Sequence, residues 1–97
     1  MAYQIVWHDN AKEDLRDILN YLLDNWSDEV AEKFNDALFG KLQSLERNPF
    51  IGIASRQVIS LRKLLIVPQS YLYYTVIKDQ IVVMNIVDTR KNPESNF

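Results

Sequence analysis

Two amphipathic helical segments separated by a very short break constrain the fold of this chain most strongly. In each segment apolar residues recur at steps of three or four, so that they form one stripe along a helix. The first stripe consists of Ala11, Leu15, Ile18, Leu19, Leu22 and Trp26, and the second of Val30, Phe34, Ala37, Leu38, Leu42 and Leu45. Because so few residues join the segments, the two helices are expected to lie antiparallel as a hairpin.

The ends of both predicted helices carry recognisable signals. Asn10, with Glu13 three residues later, has the spacing of a capping box, which predicts that the first helix begins at Asn10. Ser27 is predicted to cap the second helix. Asn48-Pro49 is predicted to end the second helix, because proline disfavours helical geometry in the residue before it.

Four segments rich in β-branched and aromatic residues are predicted to be strands. They are residues 3–7, 61–67, 71–77 and 81–88. A loop covers residues 49–60, and the connections at 68–70 and 78–80 are short enough for hairpins, which predicts an antiparallel meander. The last two strands are apolar on nearly every residue, which suggests that both faces are covered. The order β-α-α-β-β-β predicts one α+β domain over residues 1–97, a helical hairpin packed on a small, mostly antiparallel sheet.

Composition excludes several classes of protein and site. The 97-residue chain has no cysteine, so it has neither a disulfide framework nor a thiolate metal site. It has no secretory signal and no apolar run of the roughly 20 residues that a membrane span needs, so a cytoplasmic location without membrane contact is expected. With one histidine and two glycines it shows no phosphate-binding loop and no Ser-His-Asp set, and we expect neither a cofactor nor a metal.

The charges are divided unevenly along the chain. Residues 9–36 carry nine acidic and three basic groups, a net charge of −6, whereas residues 37–97 carry a net charge of +4. An anionic partner is therefore expected to contact the second part of the chain and a basic partner the first. The overall charge of −2 is unlike that of a protein that binds nucleic acid over its whole surface.

Four basic side chains of the second part are candidates for binding a target. Arg62 and Lys63 are adjacent at the start of a predicted strand, so they point to opposite faces. Arg62 and Arg90 flank apolar strands, and arginine suits bidentate contacts with carboxylate or phosphate. Arg56, in the long loop, and Lys63 complete the set. The alternative is that such charges keep sheet edges soluble.

The single histidine and three strand tyrosines have both a structural and a functional interpretation. His8 lies between the first strand and the first helix, where a structural or solvated role is favoured over catalysis. Tyr71 and Tyr73 share one face of their strand, and Tyr74 takes the other. Strand propensity and core filling account for these tyrosines, and a platform for stacking bases is the alternative.

Short sequence features recur in a fixed order along nearly the whole chain. They are Trp7, Ala11, Asp14, Leu15, Ile18 and Tyr21, then Ala31, Phe34, Leu38, Leu42, Leu45 and Asn48-Pro49, then Gly52 and Arg62, and finally Tyr73-Tyr74, Asp88-Thr89-Arg90 and Asn92-Pro93. In order and spacing they resemble the RelE/ParE family of bacterial type II toxins, and most closely its ParE-like, plasmid-stabilisation branch. The resemblance implies the same β-α-α-β-β-β fold that the patterns above indicate independently.

The resemblance implies a growth-inhibiting toxin that is neutralised by a cognate antitoxin encoded by an adjacent gene. RelE-like members enter the ribosome and cleave mRNA, using basic residues and a His or Tyr near the C-terminus. ParE-like members are not nucleases and poison DNA gyrase. A homodimer and a toxin–antitoxin heterotetramer are both compatible with the resemblance.

This sequence departs from the nuclease pattern at its closing strand. Asp88 stands where many relatives have a histidine, and neither His nor Tyr follows Arg90. An aspartate is a poor general base at its ordinary pKa of about 4, and its charge would repel phosphate. We therefore predict a toxin that acts by binding, with Arg62 and Arg90 as functional residues, and expect Arg90→Ala to reduce toxicity without unfolding the protein.

Three alternatives remain open. The chain could be a RelE-like mRNA endonuclease, or a non-toxic interaction module on the same fold. Asp88 and Arg90 share a face of an extended segment, so they could instead pair with each other or anchor the tail.

Three apolar residues lie off the main stripes of the helices and are candidates for binding the antitoxin. They are Tyr21, Leu23 and Phe39. One interpretation is that they line a groove that a helix of the antitoxin fills. The other is that they belong to the ordinary core at the ends of the hairpin, and the sequence favours neither.

Overall fold

The computed structural model describes residues 3–58 and 60–91 and confirms an α+β fold. Its elements are β1 (Gln4–Trp7), α1 (Asp9–Asn25), α2 (Asp28–Arg47), β2 (Ile53–Ala54), β3 (Leu61–Val67), β4 (Ser70–Ile77) and β5 (Gln80–Asp88). The predicted helices and strands are all present, and β2 is an additional two-residue strand inside the segment that was predicted to be a loop. Neither α1 nor α2 is long and apolar enough to cross a membrane.

The cap of α1 differs from the prediction, and the cap of α2 agrees with it. His8 is the N-cap of α1, and its Nδ1 accepts a hydrogen bond from the backbone N–H of Asn10 at 3.1 Å. The predicted capping box at Asn10 is therefore wrong. The reason is that the His8 backbone N–H still bonds to the carbonyl of Val83 at 2.9 Å, so the chain turns into the helix directly after β1. Ser27 Oγ accepts from the Val30 N–H at 3.1 Å, as an N-cap of α2 does.

The five strands form one sheet in the order β1-β5-β4-β3-β2. β3, β4 and β5 are the predicted antiparallel meander, and two-residue turns at 68–69 and 78–79 join them. β1 lies parallel to β5, with Ile5 opposite Ile81, so the sheet is mostly antiparallel as expected. A β-bulge shifts the register between β4 and β5 at Tyr73 and Tyr74. The helical hairpin connects β1, at one edge of the sheet, to β2 at the other edge.

The helical hairpin packs on one face of the sheet. The most deeply buried core residues come from both layers and include Ala11, Ile18, Leu22, Phe34, Leu38, Leu45, Leu72, Tyr74, Ile81 and Val83. The carboxylate of Asp14 on α1 also accepts the backbone N–H of Ile86 at 3.0 Å, which ties α1 to β5 next to the bulge. The apolar stripes of the sequence therefore face the sheet, except for Trp26, which lies at the C-cap of α1 and is 56% exposed.

The opposite face of the sheet has no helical layer within the described ranges. Ile53 and Leu65 on this face are 78% and 52% exposed. The expectation that both faces are covered is therefore wrong for this part of the chain. β4 is apolar throughout because it is a central strand whose outward tyrosines pack on each other and under Lys63.

Candidate functional site

A buried tyrosine and a partly buried arginine hold the loop between α2 and β3. The Tyr74 hydroxyl donates to the carbonyl of Pro49 at 2.8 Å and accepts the backbone N–H of Gly52 at 2.8 Å. Arg62 donates from Nη1 to the carbonyls of Gly52 at 2.7 Å and Phe50 at 3.2 Å. Its guanidinium also lies 5.1 Å from the centroid of the Phe50 ring. We call residues 49–58 the anchored loop, because its first turn is held by these four hydrogen bonds.

Gly52 is required where the anchored loop approaches β3 and β4. A Cβ at this position would lie 2.6 Å from the Tyr74 hydroxyl oxygen and 3.0 Å from the carbonyl oxygen of Lys63. Burial raises the pKa of Tyr74, although the Gly52 hydrogen bond and the positive charge of Arg62 act in the opposite direction. The phenol is therefore neutral near pH 7 and can donate and accept at the same time.

The anchored loop exposes several large apolar side chains. Phe50, Ile51, Ile53 and Val58 are all classed among the exposed large hydrophobic side chains of the protein, with exposed fractions between 38% and 78%. Arg56 lies between them in the sequence and is also exposed. The far part of the loop is closed by Ser55, whose Oγ accepts the backbone N–H of Val58 at 3.1 Å. The arrangement presents large apolar side chains on a backbone that the protein holds in place.

A second cluster of hydrogen-bonded side chains lies at the end of β5. Asp88 has no exposed surface. Its carboxylate accepts hydrogen bonds from Arg90 Nη2 at 2.7 Å, Arg90 Nε at 3.1 Å, the Arg90 backbone N–H at 2.8 Å and Ser70 Oγ at 2.5 Å. Burial alone would raise the pKa of Asp88, but the hydrogen bonds from Arg90 and Ser70 outweigh it and hold the pKa of this carboxyl below its usual range. We call residues 88–90 the Asp88 clamp.

Arg90 is further engaged with the helical hairpin. Its carbonyl oxygen accepts a hydrogen bond from the Tyr21 hydroxyl at 2.8 Å, and its guanidinium lies 5.8 Å from the ring centroid of Trp26. Only 14% of the Arg90 side chain is exposed. The sequence left open whether Arg90 binds the target or pairs with Asp88. The structure shows that Arg90 pairs with Asp88.

A small apolar pocket adjoins the Asp88 clamp. Its volume is about 250 Å³, and it lies between the start of α2 and the β3–β4 turn. Its lining consists of Val30, Lys33, Phe34, Val67, Pro68, Gln69 and Arg90. Gln69 is itself held by Thr89, whose backbone N–H and hydroxyl both donate to the Gln69 carbonyl at 2.8 and 3.0 Å.

Lys63 belongs to the face of the sheet that has no helices. Its Nζ lies 4.0 Å from the ring centroid of Tyr71. The rings of Tyr71 and Tyr73 meet edge to face, with centroids 5.6 Å apart, which confirms that these two tyrosines share a face. Burial, followed by the neighbouring Tyr73, raises the pKa of Tyr71. This cluster is cationic and aromatic, but it contains a single positive charge.

The four predicted target-binding residues do not form one patch. Arg62 lies opposite Tyr74, whereas Asp88 lies opposite Ser70, four residues further along β4. At a rise of roughly 3.3 Å per residue, about 13 Å therefore separates the two positions. Arg56, Arg62 and Lys63 are near one end of the meander, and Arg90 is at the other.

The antitoxin-binding candidates are also dispersed. Tyr21 is half-buried and is bonded to Arg90, so it has a structural role in this molecule. Leu23 and Phe39 are about half exposed, at 48% and 47%. Their positions in the hairpin differ by roughly 13 Å along the helix axes, at 1.5 Å per residue. Phe39 lines a second apolar pocket of about 190 Å³ with Ile5, Trp7, Leu42, Gln43 and Glu46.

Sequence reasoning named Arg62, Asp88 and Arg90 but did not predict their internal partners. It explained Tyr74 by core filling, placed Gly52 in the loop at residues 49–60 and assigned Ser70 to a turn. One signal was available, because a glycine in a loop of a chain with two glycines indicates a close approach or an unusual turn. His8, the one histidine, caps α1 and belongs to neither the anchored loop nor the Asp88 clamp. Within the described ranges no group of three His, Cys, Asp or Glu side chains could hold a metal ion.

Comparisons with known proteins give a consistent result. Over residues 5–93 the chain matches the family described as ParE toxin of type II toxin-antitoxin system, parDE. No curated protein matches the chain.

Solved structures of bacterial toxins share the fold at low identity. A chain of the chromosomal ParDE TA system from P. aeruginosa is 20% identical, with a TM-score of 0.74 over 90% of this chain and 96% of that one. The E. coli toxin RelE, in a mutant form in the free state, is 21% identical, with a TM-score of 0.63 over 96% and 90%. A chain of the heterotetrameric YoeB-YefM toxin-antitoxin complex from Staphylococcus aureus is 19% identical, with a TM-score of 0.60 over 88% and 94%. Since the family match covers most of the sequence and the observed fold agrees with it, this chain belongs to the ParE toxin family of type II toxin–antitoxin systems.

Proposed function

We propose that this toxin arrests growth in the bacterial cytoplasm by binding a protein target, DNA gyrase, and that it does not cut RNA. The proposal rests on the burial and the hydrogen bonds of Asp88. The resemblance leads one to expect a proton-transfer group at this position in a nuclease. Here the carboxylate is buried, and both of its oxygens accept hydrogen bonds from Arg90. A carboxylate held in this way is poorly placed to take a proton from a ribose hydroxyl.

The arginines support the same proposal. An RNA-cleaving site needs cations that hold phosphate and stabilise the charge of the transition state. The Arg62 guanidinium is bonded to two carbonyls of the anchored loop, and the Arg90 guanidinium is bonded to Asp88. The Arg90 charge is already balanced by the buried Asp88, and Arg62 already uses Nη1 to hold two loop carbonyls, so each has less charge or fewer donors to offer a phosphate. This arrangement disfavours a nuclease.

We also propose that a cognate antitoxin, encoded by an adjacent gene, binds the helical hairpin. Leu23 and Phe39 expose large apolar surface there, and Phe39 borders an apolar pocket of about 190 Å³. The solved YoeB-YefM complex is a heterotetramer, which makes a toxin–antitoxin heterotetramer a reasonable arrangement to test for this chain as well.

One observation favours the second candidate function, a ribosome-dependent mRNA endonuclease. Lys63, Tyr71 and Tyr73 form a cationic and aromatic cluster on the helix-free face of the sheet. Such a cluster could stack a base and hold one phosphate. It offers one cation, so we rank this function second.

Induced expression in a bacterial host, with and without the adjacent antitoxin gene, separates the two functions. For gyrase binding we expect growth arrest, double-strand breaks and an SOS response with intact mRNA. The purified toxin should also inhibit supercoiling by purified gyrase. The antitoxin should reverse each effect, which is the control that the arrest is specific.

Cleaved mRNA and an early stop of protein synthesis, with gyrase unaffected, would replace the proposal by the endonuclease. Normal growth at full expression would contradict both functions and favour a non-toxic interaction module.

A further inference from the structure

We propose that the toxin binds its target through the anchored loop, residues 49–58. The matching surface of the target is an acidic protein surface around an apolar depression. This inference rests on the proposed function in one respect, namely that the toxin acts on a protein. It does not depend on that protein being gyrase.

The exposed apolar side chains of the anchored loop lie outside the hydrophobic core. Phe50, Ile51, Ile53 and Val58 do not belong to the hydrophobic core or to the residues packed against it. Large apolar side chains that cluster on a surface loop mark interaction sites in soluble proteins. Aromatic side chains and arginines are enriched among the central contacts of protein interfaces, and the loop exposes one of each, Phe50 and Arg56.

Polar side chains of the sheet hold this loop in place. The Tyr74 hydroxyl and the Arg62 guanidinium make four hydrogen bonds to loop backbone atoms. A loop that is already held in its binding conformation loses less conformational entropy when a partner docks. Sites supported in this way by buried hydrogen bonds are typical of functional surfaces. Stability alone would be served equally well by polar side chains on the outer side of the loop.

The charge around the loop identifies the chemistry of the partner. From Arg47 to Lys78 the sequence contains no aspartate or glutamate, and it contains five lysines and arginines. The anchored loop lies inside this acid-free segment, and Arg56 projects from the loop itself. Complementary charge steers association and suppresses wrong partners. The partner surface is therefore acidic at its rim.

The same residues favour a protein over a nucleic acid. Neutralising several phosphates needs several exposed cations. Near the anchored loop Arg62 is bonded to two carbonyls, and Lys63 lies over Tyr71. Arg56 thus remains as the readily available cation of the loop, whereas four large side chains offer apolar contact. One available cation beside four large apolar side chains suits a protein surface better than a nucleic acid.

The experiment compares substitutions of two exposed isoleucines. Ile53→Ser removes the most exposed apolar side chain of the loop, and Ile77→Ser removes an equally branched side chain that is 53% exposed at the end of β4. Ile53 pairs with Lys63, opposite Tyr73, so Ile77 lies two strands away and four residues further along. Arg56→Glu is a third variant, which tests the charge of the partner.

Ile53→Ser and Arg56→Glu should abolish growth arrest and weaken binding of the purified target at least about tenfold, as loss of a central interface contact does. Ile77→Ser should behave as the wild type. All three should keep wild-type affinity for the antitoxin and the wild-type melting temperature, which excludes unfolding as the cause.

Growth arrest by Ile53→Ser at the wild-type level would overturn the inference. So would an equal loss of antitoxin affinity, because the loop would then be an antitoxin surface, and so would arrest accompanied by mRNA cleavage. A different result would contradict the proposed function and leave this inference intact. If the wild type arrests growth without affecting gyrase, and Ile53→Ser abolishes that arrest with mRNA intact, the loop still grips a protein, but the protein is not gyrase.

Discussion

Asp88 places a charge at a position without exposed surface, and Arg90 and Ser70 make that position tolerable. An isolated buried carboxylate is costly, and removing one partner of a buried pair leaves that cost uncompensated. The contacts of Arg90 with Asp88, Tyr21 and Trp26 join the end of β5 to β4 and to the helical hairpin. The clamp is thus a junction between the two layers.

Arg90→Ala should therefore lower the free energy of unfolding by about 3 to 5 kcal/mol, the usual effect of leaving a buried charge unpaired. Urea denaturation at pH 7 measures it. This replaces the sequence-based expectation that the substitution would leave the fold intact. Lys33→Ala is the control, because the exposed Lys33–Glu29 pair, at 3.3 Å, is expected to contribute about 0 to 1 kcal/mol. Equal effects of the two substitutions would return Arg90 to the list of target-binding residues.

Stability should fall in acid because of Asp88. Its pKa in the folded protein is below the ordinary value, so the unfolded chain binds the proton more readily. The stabilisation is complete above the unfolded pKa of about 4 and is lost as the pH falls through the lower folded value. Urea midpoints measured between about pH 6 and pH 2 should decline in the wild type. Asp88→Asn should be less stable at neutral pH and should show a shallower decline; an unchanged slope would assign the acid sensitivity to other carboxylates.

At the scale of elements, the anchored loop depends on one hydroxyl group. Tyr74→Phe leaves the Gly52 N–H and the Pro49 carbonyl without their partner, which should cost about 1 to 3 kcal/mol. We also expect faster hydrogen exchange at Gly52 and weaker growth arrest, because the loop loses its fixed conformation.

Tyr3→Phe is the matched control for Tyr74→Phe, since Tyr3 packs against the core and no hydrogen bond of its hydroxyl is found in the described part of the chain. It should leave the exchange rate at Gly52 unchanged. If Tyr74→Phe also leaves that rate and the toxicity unchanged, Arg62 alone is sufficient to hold the loop.

The elements that sequence reasoning predicted correctly are those with local signals. The stripes of α1 and α2 apart from Trp26, the Ser27 cap and the two short turns of the meander depend on neighbouring residues, and these predictions are confirmed. The N-cap of α1 was predicted two residues too far along, because the cap is set by the pairing of β1 with β5. β2 was missed because two residues carry no periodicity.

The candidate sites were harder to predict than the fold, for a physical reason. Arginine was correctly singled out as a residue that makes bidentate contacts, but its partners here are internal. Whether a guanidinium meets a carboxylate of its own chain, a loop carbonyl or a target depends on contacts that are distant in sequence. Tyr74 and Gly52 are 22 residues apart, and no local pattern indicates that they meet.

At the scale of the whole molecule, the two layers carry different charge. The helical hairpin lies largely in the segment with a net charge of −6, and β2, β3 and β4 lie in the acid-free segment from Arg47 to Lys78. An acidic target would be attracted to one side, and a basic segment of an antitoxin to the other. Two partners of opposite charge can therefore be recognised by separate surfaces of one small domain.

The pocket beside Phe39 lies against the second half of α2, with Glu46 in its lining. We predict that Phe39→Ser weakens antitoxin binding at least about tenfold, because an aromatic side chain in an apolar pocket is a typical central contact.

We also predict that affinity for the antitoxin falls as the salt concentration rises from about 0.1 M to about 0.5 M, because salt screens the acidic helices. Calorimetry with the purified antitoxin measures both effects, and Ile77→Ser is the control. An affinity that Phe39→Ser and salt leave unchanged would mean that the antitoxin binds another surface, and the anchored loop would then be the first alternative to test.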